Sequence, residues 1–124
     1  MIGYVTLGTN KFDEAAAFYD ALLAELGAGR FMEADNFIAW AASPDTPAVS
    51  IIKPHDGEEA CIGNGTMVAL VVDSTDKVDA LYAKALELGG TDEGPPGLRG
   101  DSFYVGYFRD LDGNKLNAFC MTGE

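Results

Sequence analysis

The chain has 124 residues, 48% hydrophobic and 10% aromatic, which suffices for one domain with a real core. Its 8 basic and 20 acidic residues give a formal net charge of −12, which speaks against a nucleic-acid partner, since phosphate binding needs a basic patch. No run of about 18 apolar residues is present to span a membrane.

Ile2–Thr9 is rich in β-branched and apolar residues and reads as a strand, not as a leader peptide. Asn10 is a candidate helix cap. Apolar residues then recur at Phe12, Ala15, Ala16, Tyr19, Leu22, Leu23 and Leu26, which predicts a helix over about 11–26 that ends at Gly27. Two short strands are predicted at Phe37–Ala42 and Val49–Lys53, separated by the turn-forming Ser43-Pro44-Asp45-Thr46-Pro47. A polar stretch follows, and Thr66–Asp73 reads as the next strand. Ser74 caps a second predicted helix over about 74–88, with the stripe Val78, Leu81, Tyr82, Ala85 and Leu88. Gly94-Pro95-Pro96-Gly97 reads as a loop, a mobile lip. Phe103–Arg109 and Lys115–Met121 read as strands around a tight turn, Asp110–Asn114. That turn spaces Asp and Asn like the start of a calcium loop but lacks the closing Glu, so a hairpin is favoured.

Residues 4–27 reappear without a gap at 67–90. The pairs Val5/Val68, Leu7/Leu70, Asp13/Asp76, Ala17/Ala80, Tyr19/Tyr82, Leu23/Leu86 and Gly27/Gly90 are identical. A long period used twice predicts two similar half-domains with a ligand between them. The domain is expected to span 1–124, with modules at about 1–54 and 65–122 and a connector over 55–64. Alternation places Val5, Leu7, Val68 and Leu70 under the helices. It places Tyr4, Thr6, Met67, Ala69 and Val71 on the opposite faces.

Three segments, GYVTLGTN, AFYDALLAELG and above all FRDLDGNKLNAF, resemble the vicinal oxygen chelate superfamily. That superfamily holds glyoxalase I, extradiol dioxygenases and bleomycin-resistance proteins. The resemblance implies an α+β fold of two βαβββ modules, an eight-stranded cleft and a homodimer. It also implies four metal-ligand positions, one on the first and one on the last strand of each module. Here they match Tyr4 and Met67 and, if Trp40 is matched to Tyr107, Ser50 and Asn117.

None of these four is His, Asp or Glu. A divalent metal in oxygen chemistry wants imidazole or carboxylate donors, so no metal or other cofactor is expected. The only histidine, His55, lies in the connector. Cys61 and Cys120 match no metal spacing and read as reduced thiols of a cytoplasmic protein. Of the aromatic residues, Trp40, Tyr107 and Phe119 are expected to line the cleft above a floor of Tyr4, Ser50, Met67 and Asn117. Arg99, in the lip, could meet an anionic group, although the net charge would suit a cationic ligand. The expected function is metal-free binding or sequestering of a small molecule. The alternatives are a metal-dependent glyoxalase-type lyase or extradiol-type dioxygenase with relocated ligands, and a metal-free enzyme using Tyr4 as acid or base.

Overall fold

In β1 (Tyr4–Gly8), Leu7 is buried while Tyr4 and Thr6 are exposed, so one face of the strand meets a core and the other does not. The computed structural model describes residues 1–123. After β1 come α1 (Phe12–Ala24), β2 (Gly29–Glu33), β3 (Phe37–Ala41) and β4 (Ala48–Ile52). The second half repeats the order with β5 (Val68–Val71), α2 (Thr75–Glu87), β6 (Thr91–Arg99), β7 (Phe103–Arg109) and β8 (Lys115–Met121). The architecture is α+β, two βαβββ modules whose eight strands form two four-stranded sheets. The first sheet runs β1-β4-β3-β2 and the second β5-β8-β7-β6. In each, the first strand pairs in parallel with the last, and the rest is antiparallel.

Each helix covers one face of its own sheet with the stripe that its periodicity predicts. Ala15, Ala16, Phe18, Tyr19, Leu22 and Leu23 are buried from α1, and Val78, Leu81 and Ala85 from α2. Both stripes enter one continuous core with Leu7, Ile38, Trp40, Ile51, Leu70, Phe108 and Leu116. The halves touch where α1 meets α2. The two helix-covered faces therefore share an interior, and each sheet keeps its other face open.

Two local expectations change. Asn10 does not cap α1. The residue at the cap is Lys11, whose own side chain makes no capping bond, and its N–H donates to Thr9 Oγ1 at 3.0 Å. Asn10 instead exchanges two hydrogen bonds with the backbone of Ala60 in the connector, at 2.9 and 2.7 Å. Ser74 does cap α2, accepting from the Lys77 N–H at 3.2 Å. Second, the stretch around Gly94-Pro95-Pro96-Gly97 is no free lip but part of β6, paired with β7 through two register shifts. Pro is tolerated there because β6 is an edge strand with bulges.

The closing turn between β7 and β8 ties the halves together. Asp110 is buried and accepts from the Asp112 and Asn114 N–H groups, both at 2.9 Å, and from Asn114 Nδ2 at 3.0 Å. It also accepts from the hydroxyl of Tyr19 on α1, at 2.6 Å. Asn114 Nδ2 donates to the carbonyl of Gly8 at the end of β1, and the Asn10 N–H donates to Asp112 Oδ1 at 2.9 Å. Gly113 completes the turn with φ +94°, a left-handed backbone that favours glycine. The segment that carries the sequence resemblance most specifically is thus a clasp, not a metal loop.

Candidate functional site

Pairing register decides which side chains reach the open faces. On the first sheet, Thr6 lies opposite Ser50 and Ser50 opposite Ala39. On the second, Ala69 lies opposite Asn117 and Asn117 opposite Tyr107. Ser50 and Asn117 are therefore equivalent positions, one on the last strand of each module. Tyr4 and Met67 sit at matching points of the two halves, 69% and 41% exposed. Tyr107 and Phe119 also belong to the open face of the second sheet, with Phe103 and Phe119 packed ring to ring at 5.3 Å.

Trp40 does not join them. It lies opposite Val49, on the helix-covered face, and is 1% exposed. Its ring packs on Tyr19 at 5.6 Å and its Nε1 donates to Asp20 at 2.8 Å. The equivalent of Tyr107 is Ala39, and that of Trp40 is the buried Phe108. The cause is one residue of loop. β3 ends at Ala41 and β4 begins at Ala48, leaving residues 42–47. β7 ends at Arg109 and β8 begins at Lys115, leaving only 110–114. A slip of one residue carries a side chain to the opposite face of its sheet.

The polar groups on the open faces differ in how well they are satisfied. Ser50 is 1% exposed, donates to the Val5 carbonyl at 2.9 Å and shares a hydrogen bond with Thr6 Oγ1 at 2.9 Å. Asn117 is also 1% exposed. Its Nδ2 makes a long contact of 3.7 Å to Met67 Sδ, and its Oδ1 has no partner among the described residues. A buried carbonyl oxygen without a donor costs about 1–3 kcal/mol, so such a group invites a ligand that donates to it. Sequence reasoning marked Asn117 but carried no sign that half of its amide would be left unpaired.

The donors at these four positions do not fit a catalytic divalent metal. A phenol, a hydroxyl, a thioether and an amide lack the anionic or imidazole character that such an ion needs. Among the described residues, no three His, Cys, Asp or Glu side chains gather as a metal site elsewhere. His55 is exposed in the connector, Cys61 is exposed and Cys120 buried, both as free thiols.

Arg99 reaches back along β6, donating to the Pro95 carbonyl at 2.9 Å, and its guanidinium lies 5.8 Å from the centre of the Tyr107 ring. Lys115 approaches the same ring at 5.2 Å, a contact that sequence reasoning missed. Lys115 and Asn117 are two residues apart on β8 and so share a face; that spacing was the available signal. A separate cavity of about 480 Å³ lies between the two modules. Leu23, Leu26 and Val49 line it, with Met67–Val71 as its opposite wall. It touches Met67 but not Tyr4, Ser50 or Asn117.

Two modules of this topology, with equivalent residues on their open faces, define a protein of paired βαβββ type. The sequence profile of the Glyoxalase/Bleomycin resistance protein/Dioxygenase superfamily matches residues 1–118, and the chain belongs to that family. A crystal structure of a glyoxalase/bleomycin resistance protein from Albidiferax ferrireducens T118 is 36% identical, with a TM-score of 0.89, covering 97% of this chain and 98% of that one. Two more distant structures share the fold. A glyoxalase/bleomycin resistance protein/dioxygenase family enzyme from Burkholderia phytofirmans PsJN is 18% identical, with a TM-score of 0.76, and covers 96% of this chain and 97% of that one. A lactoylglutathione lyase from Agrobacterium tumefaciens is 16% identical, with a TM-score of 0.72, and covers 97% of this chain and 92% of that one. The search of functionally curated proteins found no match. No helix among the described residues is long and apolar enough to cross a membrane.

Proposed function

We propose that this protein binds a small molecule without a catalytic metal, on the open faces of its two sheets. The observation that carries the reading is the donor set at Tyr4, Ser50, Met67 and Asn117. It replaces ligand-type side chains with groups suited to packing and hydrogen bonding. Tyr107 and Phe119 supply aromatic surface beside it, and the unpaired Oδ1 of Asn117 supplies an acceptor. Apolar walls with a few placed polar groups are the usual make-up of a ligand site.

The binding unit in this reading is a homodimer, with each cleft formed by the first sheet of one protomer and the second sheet of its partner. Three features support that arrangement. The helix-covered faces of one chain already share a core, so they are committed to each other. The open faces leave Tyr4, Met32, Met67, Val71 and Met121 exposed, an apolar surface of the kind that marks association. β1 and β5 are edge strands, and edges are commonly protected by pairing.

The test is a thermal-shift screen of small apolar and aromatic compounds on protein treated with a chelator, followed by titration of the hits. Binding should survive chelation, and Tyr107→Ala should weaken it by about 1–3 kcal/mol. Turnover of a substrate that appears only on adding a divalent metal would overturn the reading in favour of a lyase or dioxygenase.

A further inference from the structure

Positive charge is scarce in this chain and unevenly used. Of its 8 basic side chains, Arg30, Lys77, Lys84 and Arg109 are held in ion pairs with Asp or Glu. Lys11, Lys53, Arg99 and Lys115 have no acidic partner among the described residues. Lys53 lies over the Phe12 ring at the start of α1. Arg99 and Lys115 arrive from different strands, β6 and β8, at one aromatic ring on the open face of the second sheet.

With a net charge of −12, a surface cation has many acidic neighbours available to it. Two that converge on Tyr107 instead of on a carboxylate make a local positive site in a negative molecule. Such a site favours an anion that the overall field would otherwise repel. The side chains differ in what they offer. The Arg99 guanidinium presents several N–H donors in a fixed fork, while the Lys115 ammonium acts as a mobile point charge. Both lie near the ring, a cation–π placement that leaves the Lys115 ammonium and the Arg99 N–H groups not given to the Pro95 carbonyl free to donate. Glu93 is an acidic residue on β6, the strand that carries Arg99. It is engaged by Arg109 at 2.9 Å and does not neutralise them.

A second, independent observation points to a ligand in the same place. Asn117 lies directly opposite Tyr107, is 1% exposed, and leaves Oδ1 unpaired. From these placements we infer that the open face of the second sheet selects ligands with a planar apolar body, an anionic group and a hydrogen-bond donor: Arg99 and Lys115 hold the anion, Asn117 Oδ1 accepts from the donor, and the body lies against Tyr107 and Phe119. This inference rests on the proposal that the open faces are the ligand site. It reverses what net charge alone suggests, a preference for cations.

The experiment uses three probes with one common hydroxynaphthyl body, whose hydroxyl supplies the donor for Asn117 Oδ1: the carboxylate (naphthoate), the carboxamide (naphthamide) and the methylammonium compound (naphthylmethylammonium). Each is titrated calorimetrically into the full chain at low and at physiological salt. Naphthoate should bind about tenfold tighter than naphthamide, as a charge-assisted hydrogen bond allows. The ammonium compound should bind weakest, and the naphthoate advantage should shrink as salt rises. Arg99→Gln with Lys115→Gln should abolish the advantage while leaving naphthamide affinity within twofold. Lys53→Gln, away from this face, should leave it intact. Melting temperatures confirm that the variants fold, and both sites are exposed or half-buried. If naphthamide or the ammonium compound binds as tightly as naphthoate, the anion assignment is overturned and the site itself stands. If none of the three binds, both the assignment and the ligand site on this face are overturned.

Discussion

Tyr19 and Trp40 touch each other and anchor α1 in two directions. The hydroxyl of Tyr19 donates to Asp110 in the other half, and burial, reinforced by the charge of Asp110, holds this phenol well above its ordinary pKa. A raised folded value means that the neutral phenol is the form the native state favours. The stability it contributes is fully present below about pH 10, the ordinary tyrosine value, and is lost as pH rises through the raised one. Tyr19→Phe should cost about 1–3 kcal/mol at neutral pH, and melts at increasing pH should converge with the wild type above about pH 10. A gap that stays constant to high pH would contradict this account of Tyr19. Trp40 sits on the core side, so Trp40→Phe should lower the melting temperature and remove the hydrogen bond to Asp20, yet leave probe affinity within twofold. Asp20 is held below its usual range, first by its hydrogen bond to Arg30 and then by that to Trp40, against some burial. Its contribution is present above the ordinary carboxylate range and fades as pH falls through the lowered value. Loss of ligand affinity in Trp40→Phe at unchanged stability would return Trp40 to the site.

At the scale of elements, the Asp110–Asn114 turn does the work of a hinge pin. Asn114→Ala removes two side-chain bonds, to the Gly8 carbonyl and to Asp110. It should cost about 1–2 kcal/mol, with faster amide exchange at Thr9, Asn10 and Lys11 as well as in the turn itself. Exchange confined to the turn would show that the halves are held elsewhere. The sequence made the helices plain because each buries a 3.6-periodic stripe. The observed spans Phe12–Ala24 and Thr75–Glu87 fall inside the expected ones. It hid β2 and β6 for physical reasons. Gly29–Glu33 is exposed along its whole length, so no alternation marks it. In β6, glycine and proline occupy a bulged edge where composition imitates a loop. The faces of β1 and β5 were legible from alternation alone, whereas that of β3 was not. A six-residue loop against a five-residue one shifts the repeat by a position, and nothing in the composition of Ala42–Pro47 reveals it.

At the scale of the whole molecule, the family and the fold could be read from the repeat and the closing motif, whereas the ligand could not. In the proposed reading, specificity rests on a few side chains whose neighbours are set by sheet register and, in the proposed dimer, by a second chain. Lys115 illustrates the difficulty, since its proposed role depends on a ring on the neighbouring strand β7 and on Arg99 from β6, two strands away in the sheet. Sedimentation at micromolar concentration should give a species of about twice 13.1 kDa, and Met67→Asp with Val71→Asp, placed on the exposed β5 face, should shift it toward monomer. The central claim, metal-free ligand binding by a dimer, is tested most directly by native mass spectrometry of the untreated protein. The account predicts a dimer that carries small organic masses, up to one for each chain, and no stoichiometric metal. A 13.1 kDa monomer, or a dimer holding about one equivalent of Zn, Ni, Fe or Mn per chain, would contradict it.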